Sequence, residues 1–455
     1  MHPALQAICE AIRGTPFEGD LYLVGGAVRD VLLGKPLKND FDIVTRGDAP
    51  ELAKLLFKKK VSDIEPVTYP RFGTAMVQVQ GVEIELVTAR RESYDERSRK
   101  PHVEAASYDD DARRRDFTVN TLMRNLESGE LIDPLGVGLA DLRSKVLRTP
   151  LDPEATFHDD PLRMLRAVRF RWQLGFEPAA GLYDAIRQTR QRLKIISFER
   201  IRDELVKMLT VRTAPEALQD LMELRLTEII APEFEAMVGV EQGNYHHLDV
   251  WEHSLLVIRN TWSLLEGRSP SLTLVLGALL HDVGKPATRL VDMEGRTRFF
   301  GHEEVGARMS EEILRRWKFS EREIEPVARL VRNHMRLGSS PTFTKPAARR
   351  VLRDLGDQVE NLLTLVEADC RSLRPGVRQM DLAPIRAQLS LVEQETPFES
   401  LQSPLSGEEI MVILQIPAGP QVGMYKNLLT EKVIDGVLHP GDKIEARRIL
   451  EDAKS

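Results

Sequence analysis

A change of hydrophobic period near Pro161 constrains this chain more than any other feature of its sequence. Before it, short β-branched runs (Leu21 to Val24, Phe41 to Val44, Thr74 to Val79, Val82 to Val87) alternate with helical stretches and Gly or Pro punctuation, the pattern of an α/β domain. After it, strand patterns nearly vanish, and amphipathic segments such as Leu162 to Leu174 and Phe198 to Leu209 follow one another. The expected fold class is α+β, an N-terminal α/β unit followed by an all-α remainder. The 455 residues are enough for about three domains. Pro and Gly clusters between Ser372 and Gly376 and between Pro397 and Gly407 set a boundary near residue 375, with a helical tail beyond.

Composition excludes several classes. Hydrophobic residues at 42% and charged residues at 29% are the balance of a chain that folds. Met1 to Asp20 lacks a basic segment followed by a sustained apolar run, so no secretory signal is read there. The longest apolar stretch, Leu272 to Leu280, is too short to span a bilayer. Cys9 and Cys370 are far apart, which rules out a disulfide framework and suits a reducing cytoplasm. A net charge of −7 disfavours a nucleic-acid partner only mildly, because phosphate contacts follow local fields. Arg166, Arg169, Arg171, Arg187, Arg190, Arg192, Lys194, Arg200 and Arg202 lie among few acids, which suits either a backbone-tracking face or a solvated helix surface.

The first candidate site begins at Leu23-Val24-Gly25-Gly26-Ala27-Val28-Arg29-Asp30, a strand ending in a Gly-Gly turn that opens a helix. Backbone N–H groups in such a turn approach phosphates closely. On the next strand, Asp40-Phe41-Asp42 puts both carboxylates on one face. Two acids so placed suit a pair of Mg²⁺ ions for an in-line displacement. Glu83 and Glu85 share one face of a later strand; Glu85 is favoured as a third carboxylate, though periodicity does not separate the two.

These residues resemble the head-domain signature of bacterial class II tRNA nucleotidyltransferases, the CCA-adding enzymes and their poly(A) polymerase relatives. Arg114-Arg115-Asp116-Phe117-Thr118-Val119-Asn120 is similar to the family's second motif. The resemblance implies a DNA polymerase beta-like head, with Arg115 on phosphate and Asp116 on a ribose hydroxyl. It also assigns Gly25, Gly26, Arg29, Asn120, Arg166 and Arg169 to nucleotide binding, and Asp40, Asp42 and Glu85 to catalysis. Asp133-Pro134-Leu135-Gly136 through Asp141-Leu142 and Arg148 is similar to the hinge between head and neck, departing at Val137 where the family repeats Gly. The implied segments are a head at 1–148, a helical neck at 149–210, a body at 211–375 and a tail at 376–455 that contacts tRNA. Ile416, Pro417, Gly419, Pro420, Val422 and Gly423 match the family's tail pattern.

Asp159-Asp160-Pro161-Leu162-Arg163 resembles the nucleotide-selecting motif, with Asp159 where the family has Glu. By resemblance Asp160 and Arg163 form an amino-acid template, and i,i+3 spacing puts them on one helical face. A carboxylate accepts from an amino group and a guanidinium donates to a ring nitrogen, an edge that C and A share and that G and U lack. Asp before Pro is also a helix cap. Glu92 to Ala112 reads as a charged, strand-poor loop of the kind that full CCA-adding relatives use in switching from C to A.

A second constellation, His253, His281-Asp282 and Asp369, with His302 and His334 as further ligands or phosphate contacts, resembles the HD phosphohydrolase superfamily. His246 and His247 lie in the same stretch. Imidazole plus carboxylate suits a divalent ion, Mg²⁺, Mn²⁺, Ni²⁺ or Co²⁺, that activates water. The expected function is addition of C and A from CTP and ATP to the 3′ end of tRNA, with a second HD activity on 2′,3′-cyclic or 2′-phosphate ends. Alternatives are a CC-adding or A-adding partial enzyme, a poly(A) polymerase, or an HD phosphohydrolase with a degenerate RNA-binding head. The expected state is a monomer or homodimer in the cytoplasm without a membrane partner.

Overall fold

The structure, a computed structural model, describes residues 2–93, 102–243, 245–338, 343–378, 380–395 and 401–454. The β-branched runs form β1 (Tyr22–Val24), β2 (Phe41–Thr45), β3 (Val67–Tyr69), β4 (Thr74–Val79) and β5 (Val82–Thr88). With β6 (Arg90–Ser93), β7 (His102–Ala105), β8 (Met123–Asn125) and β9 (Leu131–Ile132) they complete the N-terminal strands. Seven of them make one sheet in the order β3-β4-β5-β2-β1-β8-β9. Only β2 and β5 pair in parallel within it. Gln80 and Gly81 both adopt positive φ between β4 and β5, the backbone of a two-residue turn whose twist matches a hairpin. That turn fixes the register, so Ala75, Val77 and Val79 of β4 and Ile84 and Leu86 of β5 are buried. Helix Ala49–Lys58, capped by Asp48 accepting from the Glu51 N–H, buries Leu52, Ala53 and Leu56.

The stretch Glu92 to Ala112 is not strand-poor. β6 pairs antiparallel with β7, and helix Tyr108–Arg113 follows, opened by a capping box between Ser107 and Asp110. Alternating Arg, Glu and Ser hid the pairing, since no apolar face marks a two-stranded ribbon outside the main sheet. Residues 94–101, which this reading also covered, lie outside the described residues. The all-α expectation is likewise broken by two short pairs, β10 (Val146–Leu147) with β11 (Glu177–Pro178) and β12 (Leu290–Val291) with β13 (Thr297–Arg298).

The chain divides into two compact units, Met1–Met208 with Glu216–Ile230, and Leu209–Pro215 with Ala231–Ser455. In the first, helices Leu162–Leu174, Leu182–Thr189 and Ala214–Glu223 meet at buried Asp220, which accepts from Arg171 (2.9 Å), Trp172 Nε1 (2.8 Å) and the Tyr183 hydroxyl. In the second, helix Leu272–Leu280 is apolar throughout and buried from Leu274 to Leu280, as expected for a helix enclosed by others. Helices Val250–Leu264, Glu321–Asn333 and Val359–Arg371 pack on it. Phe234 sits between Trp251 and Trp317, at centroid distances of 5.3 and 6.2 Å. Helices Ala383–Glu395, Gly407–Leu414, Pro420–Ile434 and Lys443–Lys454 end the chain.

Asp220→Ala removes the one buried acceptor shared by three half-buried donors. A loss of about 3 kcal/mol is expected, read as a lower urea midpoint, and Asp220→Asn is expected to retain part of it.

Candidate active site and metal centre

β1 ends at Val24, and the chain turns at Gly25 with φ +72°, a left-handed conformation that favours glycine. A side-chain carbon at Gly25 would stand 3.4 Å from an Asp42 carboxylate oxygen and 3.7 Å from Arg115 Nη1. Helix Gly26–Leu32 then begins, presenting its first N–H groups to the same space.

Asp42 lies across from Val24 on one side and from Glu85 on the other. The parallel register therefore separates the two glutamates that periodicity left equivalent. Glu85 stands beside Asp42 and is half-buried, whereas Glu83 is exposed. Asp40 precedes β2 by one residue. Burial, then Glu85, then Asp40 raise the Asp42 carboxyl to about 6, against the opposing pull of Arg115 and Arg166. Three carboxylates thus crowd a partly desolvated spot, an all-oxygen donor set of the kind that hard divalent cations occupy.

Facing them is a cleft of about 460 Å³ lined by Gly25, Gly26, Arg29, Asp40, Asp42, Arg115, Asp116, Asn120, Arg166 and Arg169. Its far wall is a continuous network. Arg166 grips one Asp116 oxygen through Nε (2.8 Å) and Nη2 (2.6 Å), Asn120 donates to the other (2.9 Å), and Arg29 donates to the Asn120 carbonyl (2.7 Å). Burial alone would raise Asp116, yet Arg166 and Asn120 hold it at about 2. Arg115 is braced by Asp111 through two bonds of 3.0 and 3.1 Å. Phe170 supports three guanidinium groups, those of Arg29, Arg166 and Arg169, at 5.0, 5.3 and 4.0 Å from its centroid. Arg169 itself is buried against Glu204 at 2.6 Å. Lys38, Phe170, Gln173 and Lys207 also line the cleft; sequence reasoning passed over them because nothing in their spacing distinguishes them from packing or solvated positions.

Asp160 and Arg163 are not among the residues lining the cleft. They do not share a helical face either: helix Leu162–Leu174 starts after Asp160, which is in extended conformation. Asp160 takes the capping role, accepting from the Leu162 N–H (3.2 Å), and its second oxygen pairs with Arg200 at 2.8 Å. Arg163 donates to the carbonyls of Thr156 and Arg114. Several other cations of the basic stretch are also engaged within the protein, Arg187 with Asp184, Arg190 with Glu228 and Arg202 with Asp203.

The six HD-type residues come together. His281 caps the buried helix Leu272–Leu280, and Asp282 follows. Their donors sort into two groups, His253 with His281 and Asp369, and Asp282 with His302 and His334. Asp282 spans both: one oxygen lies 3.1 Å from His281 Nε2 and 3.6 Å from His253 Nε2, the other 3.5 Å from His302 and 3.8 Å from His334. His253 Nε2 is 3.0 Å from Asp369. The Nδ1 atoms of His281, His302 and His334 face the carbonyls of Ala278, Phe299 and Val331 at 2.7 to 2.9 Å. A carbonyl only accepts, so Nδ1 carries the proton and each Nε2 aims a lone pair inward.

The inward-facing atoms are close without being bonded. His302 and His334 bring two such lone pairs within 3.2 Å, and buried His253 Nε2, His281 Nε2 and Asp282 Oδ1 have no hydrogen-bond geometry with any neighbour. Donors aimed at a common point rather than at one another fit a divalent cation with nitrogen and oxygen ligands. Burial pushes His334 down to about 3, aided by His281. Against burial, His281 and Lys285 hold Asp282 well below the usual carboxylate range. Lys285, buried one turn after Asp282, donates to it and to Gln242 at 2.6 Å each. Neither was selected from sequence, although the i,i+3 spacing of Asp282 and Lys285 is a legible signal. Of the two extra histidines, His246 packs edge-on against His253 at 4.7 Å, while His247 is exposed.

Comparison with known proteins decides the family. The chain is 35% identical over 437 residues to the A-adding tRNA nucleotidyltransferase of Deinococcus radiodurans, covering 91% of this chain and 92% of that protein. It is 33% identical over 440 residues to the CC-adding tRNA nucleotidyltransferase of Thermus thermophilus, covering 95% and 93%. The chain belongs to the tRNA nucleotidyltransferase family. Family models match at residues 21–148 (poly A polymerase head domain), 175–238 ("Probable RNA and SrmB- binding site of polymerase A") and 250–374 (HD domain). The fold is that of the Bacillus stearothermophilus CCA-adding enzyme solved with CTP, with a TM-score of 0.71 at 24% identity over 100% of this chain and 98% of that one. In this tRNA nucleotidyltransferase the head model contains the carboxylate cluster, and the HD model contains all six residues of the His/Asp cluster.

One glycine sets the spacing of that centre. A side-chain carbon at Gly284 would fall 2.3 Å from the His302 carbonyl and 2.6 Å from the Gly306 nitrogen, both backbone atoms of the helix that carries His302. Gly284→Ala is expected to push that helix away and weaken Mn²⁺ binding at least tenfold by isothermal titration, with nucleotide incorporation retained.

Proposed function

We propose that this tRNA nucleotidyltransferase adds C and A from CTP and ATP to the 3′ end of tRNA without a nucleic-acid template, in the cytoplasm. The observation that carries the reading is the placing of Asp42 beside Glu85 and near Asp40, opposite a wall of arginines. The tRNA 3′-hydroxyl attacks the nucleotide α-phosphorus, a new P–O bond forms, and the bond to pyrophosphate breaks. Asp40 and Asp42, with Glu85 beside them, would hold a pair of Mg²⁺ ions, which would supply a lowered hydroxyl pKa and charge neutralisation at the leaving group. Arg115 and Arg29, with the N–H groups after Gly25, hold the triphosphate. Asp116, fixed by Arg166 and Asn120, accepts from a ribose hydroxyl. Asp160 and Arg163 read the base edge, which requires Arg163 to leave the Thr156 and Arg114 carbonyls. Against G or U the Asp160 carboxylate meets a carbonyl, a mismatch worth several kcal/mol in a dry pocket.

The 35% and 33% relatives are an A-adding and a CC-adding protein, so the second reading is a partial enzyme. Labelled CTP and ATP offered to tRNA truncated at the discriminator base, after CC, or after CCA separate the readings. Complete addition predicts CCA on the first acceptor, A on the second and nothing on the third; unlimited A would instead mark a poly(A) polymerase. Asp42→Asn is expected to lower incorporation at least a thousandfold. The same change, by relieving repulsion among three carboxylates, is expected to raise the melting temperature in EDTA. Undiminished incorporation would refute the site.

The body carries a second, metal-dependent phosphohydrolase activity on 2′,3′-cyclic or 2′-phosphate RNA ends. His253, His281 and Asp369 would hold one divalent ion and Asp282, His302 and His334 another, and such ions would supply an activated water and charge neutralisation. The water oxygen bonds to phosphorus, one P–O bond of the ester opens, and the departing ribose oxygen takes a proton. Lys285 keeps Asp282 ionised and oriented between the two groups. His281→Ala is expected to abolish hydrolysis while sparing CTP incorporation; loss of both together would count against two separate sites.

A further inference from the structure

Around the HD centre the chain exposes large aromatic and apolar side chains that packing does not require. Tyr245 is 68% exposed and Phe300 is 75% exposed. Each is tied by the backbone to the metal-ligand set. Tyr245 precedes His246, whose ring lies against His253, and Phe300 lies two residues before His302. Phe299, between β13 and Phe300, accepts from His302 through its carbonyl and lies 5.7 Å from the Lys285 ammonium.

The two rings belong to adjoining segments. Gln242 accepts from Lys285, and a side-chain carbon at Gly243 would come 3.9 Å from the carbonyl of Thr297 in β13. Gln242 and Gly243 therefore lie alongside the hairpin that leads to Phe300. The Tyr245 carbonyl is in turn held by the Arg374 N–H at 2.9 Å, five residues beyond Asp369. Arg289, Arg298 and Arg374 are exposed on these same segments. The rim thus combines aromatic faces with guanidinium groups around a centre built for phosphate esters, the pairing by which proteins hold single-stranded nucleic acid.

We propose that Tyr245 and Phe300 are the base platforms of the HD centre, and that its substrate is the single-stranded 3′ end of an RNA. The terminal base stacks on one of these rings, and the preceding phosphates lie toward Arg374 and Arg298. This proposal rests on the phosphohydrolase reading for its chemistry but not for its binding. Stacking adds affinity for the end that carries a base and nothing for a bare phosphodiester, so the rim sets selectivity rather than the hydrolytic step.

Two measurements on the full chain test it. The first compares a short RNA ending in a 2′,3′-cyclic phosphate with ethylene phosphate, a cyclic diester that carries no ring to stack, both with Mn²⁺. In the double variant Tyr245→Ser, Phe300→Ser, the ratio of kcat/KM for the RNA to that for the small ester is expected to fall at least tenfold, through KM. The second uses no metal: the same RNA, irradiated with the protein in EDTA, is expected to cross-link to a peptide containing Tyr245 or Phe300. An unchanged ratio in the variant, or a cross-link confined to other peptides, overturns the platform while leaving the phosphohydrolase reading intact. Cross-linking at Tyr245 or Phe300 without hydrolysis of either ester supports the platform and overturns the phosphohydrolase reading.

Discussion

The electrostatic constraint on which the head is built is the parallel pairing of β2 with β5. It sets Asp42 directly beside Glu85, at a place where burial has already made negative charge costly. Sheets do not ordinarily place two acids shoulder to shoulder, because like charges opposite one another destabilise the pair. Here the surrounding structure makes that pairing unavoidable. The Gln80-Gly81 turn locks the register of β5, the buried stripe of β2 locks its facing, and the left-handed turn at Gly25 brings the start of a helix beside Asp42. The repulsion is local, and the hydrophobic packing that maintains it is spread over the whole unit.

The body solves the opposite problem. Its centre gathers imidazole lone pairs around two carboxylates, and the rings of His281, His302 and His334 are each oriented from behind by a backbone carbonyl. Leu272–Leu280 supplies the rigidity. A helix buried on every side from Leu274 to Leu280 cannot rotate to relieve strain at its end, so His281 and Asp282 are presented at a fixed angle to the ligands from four other helices.

The sequence made the α/β to helical transition legible, along with four of the seven strands of the main sheet and most of the residues that converge at both centres. It did so because β-branched runs and acid spacing have few alternative explanations. What it concealed has physical causes. The β6–β7 ribbon lacks an apolar face, so its strands look like loop. Glu83 and Glu85 are equivalent by alternation, and only register with a neighbouring strand distinguishes them. Asp160 and Arg163 were expected on one face of a helix, but the proline after Asp160 starts the helix later and leaves the aspartate as its cap. Lys285 and Gln242 act on Asp282 through contacts that no single-residue signal announces.

The tether from Arg163 to the Arg114 carbonyl carries a further consequence. Arg114 is bonded directly to Arg115, which faces the carboxylates across the cleft. A guanidinium that turns toward an incoming base lets go of the peptide unit carrying the phosphate-side arginine. Were Arg163 to read the base as proposed, choice of base and the setting of Arg115 would be joined through this one peptide unit.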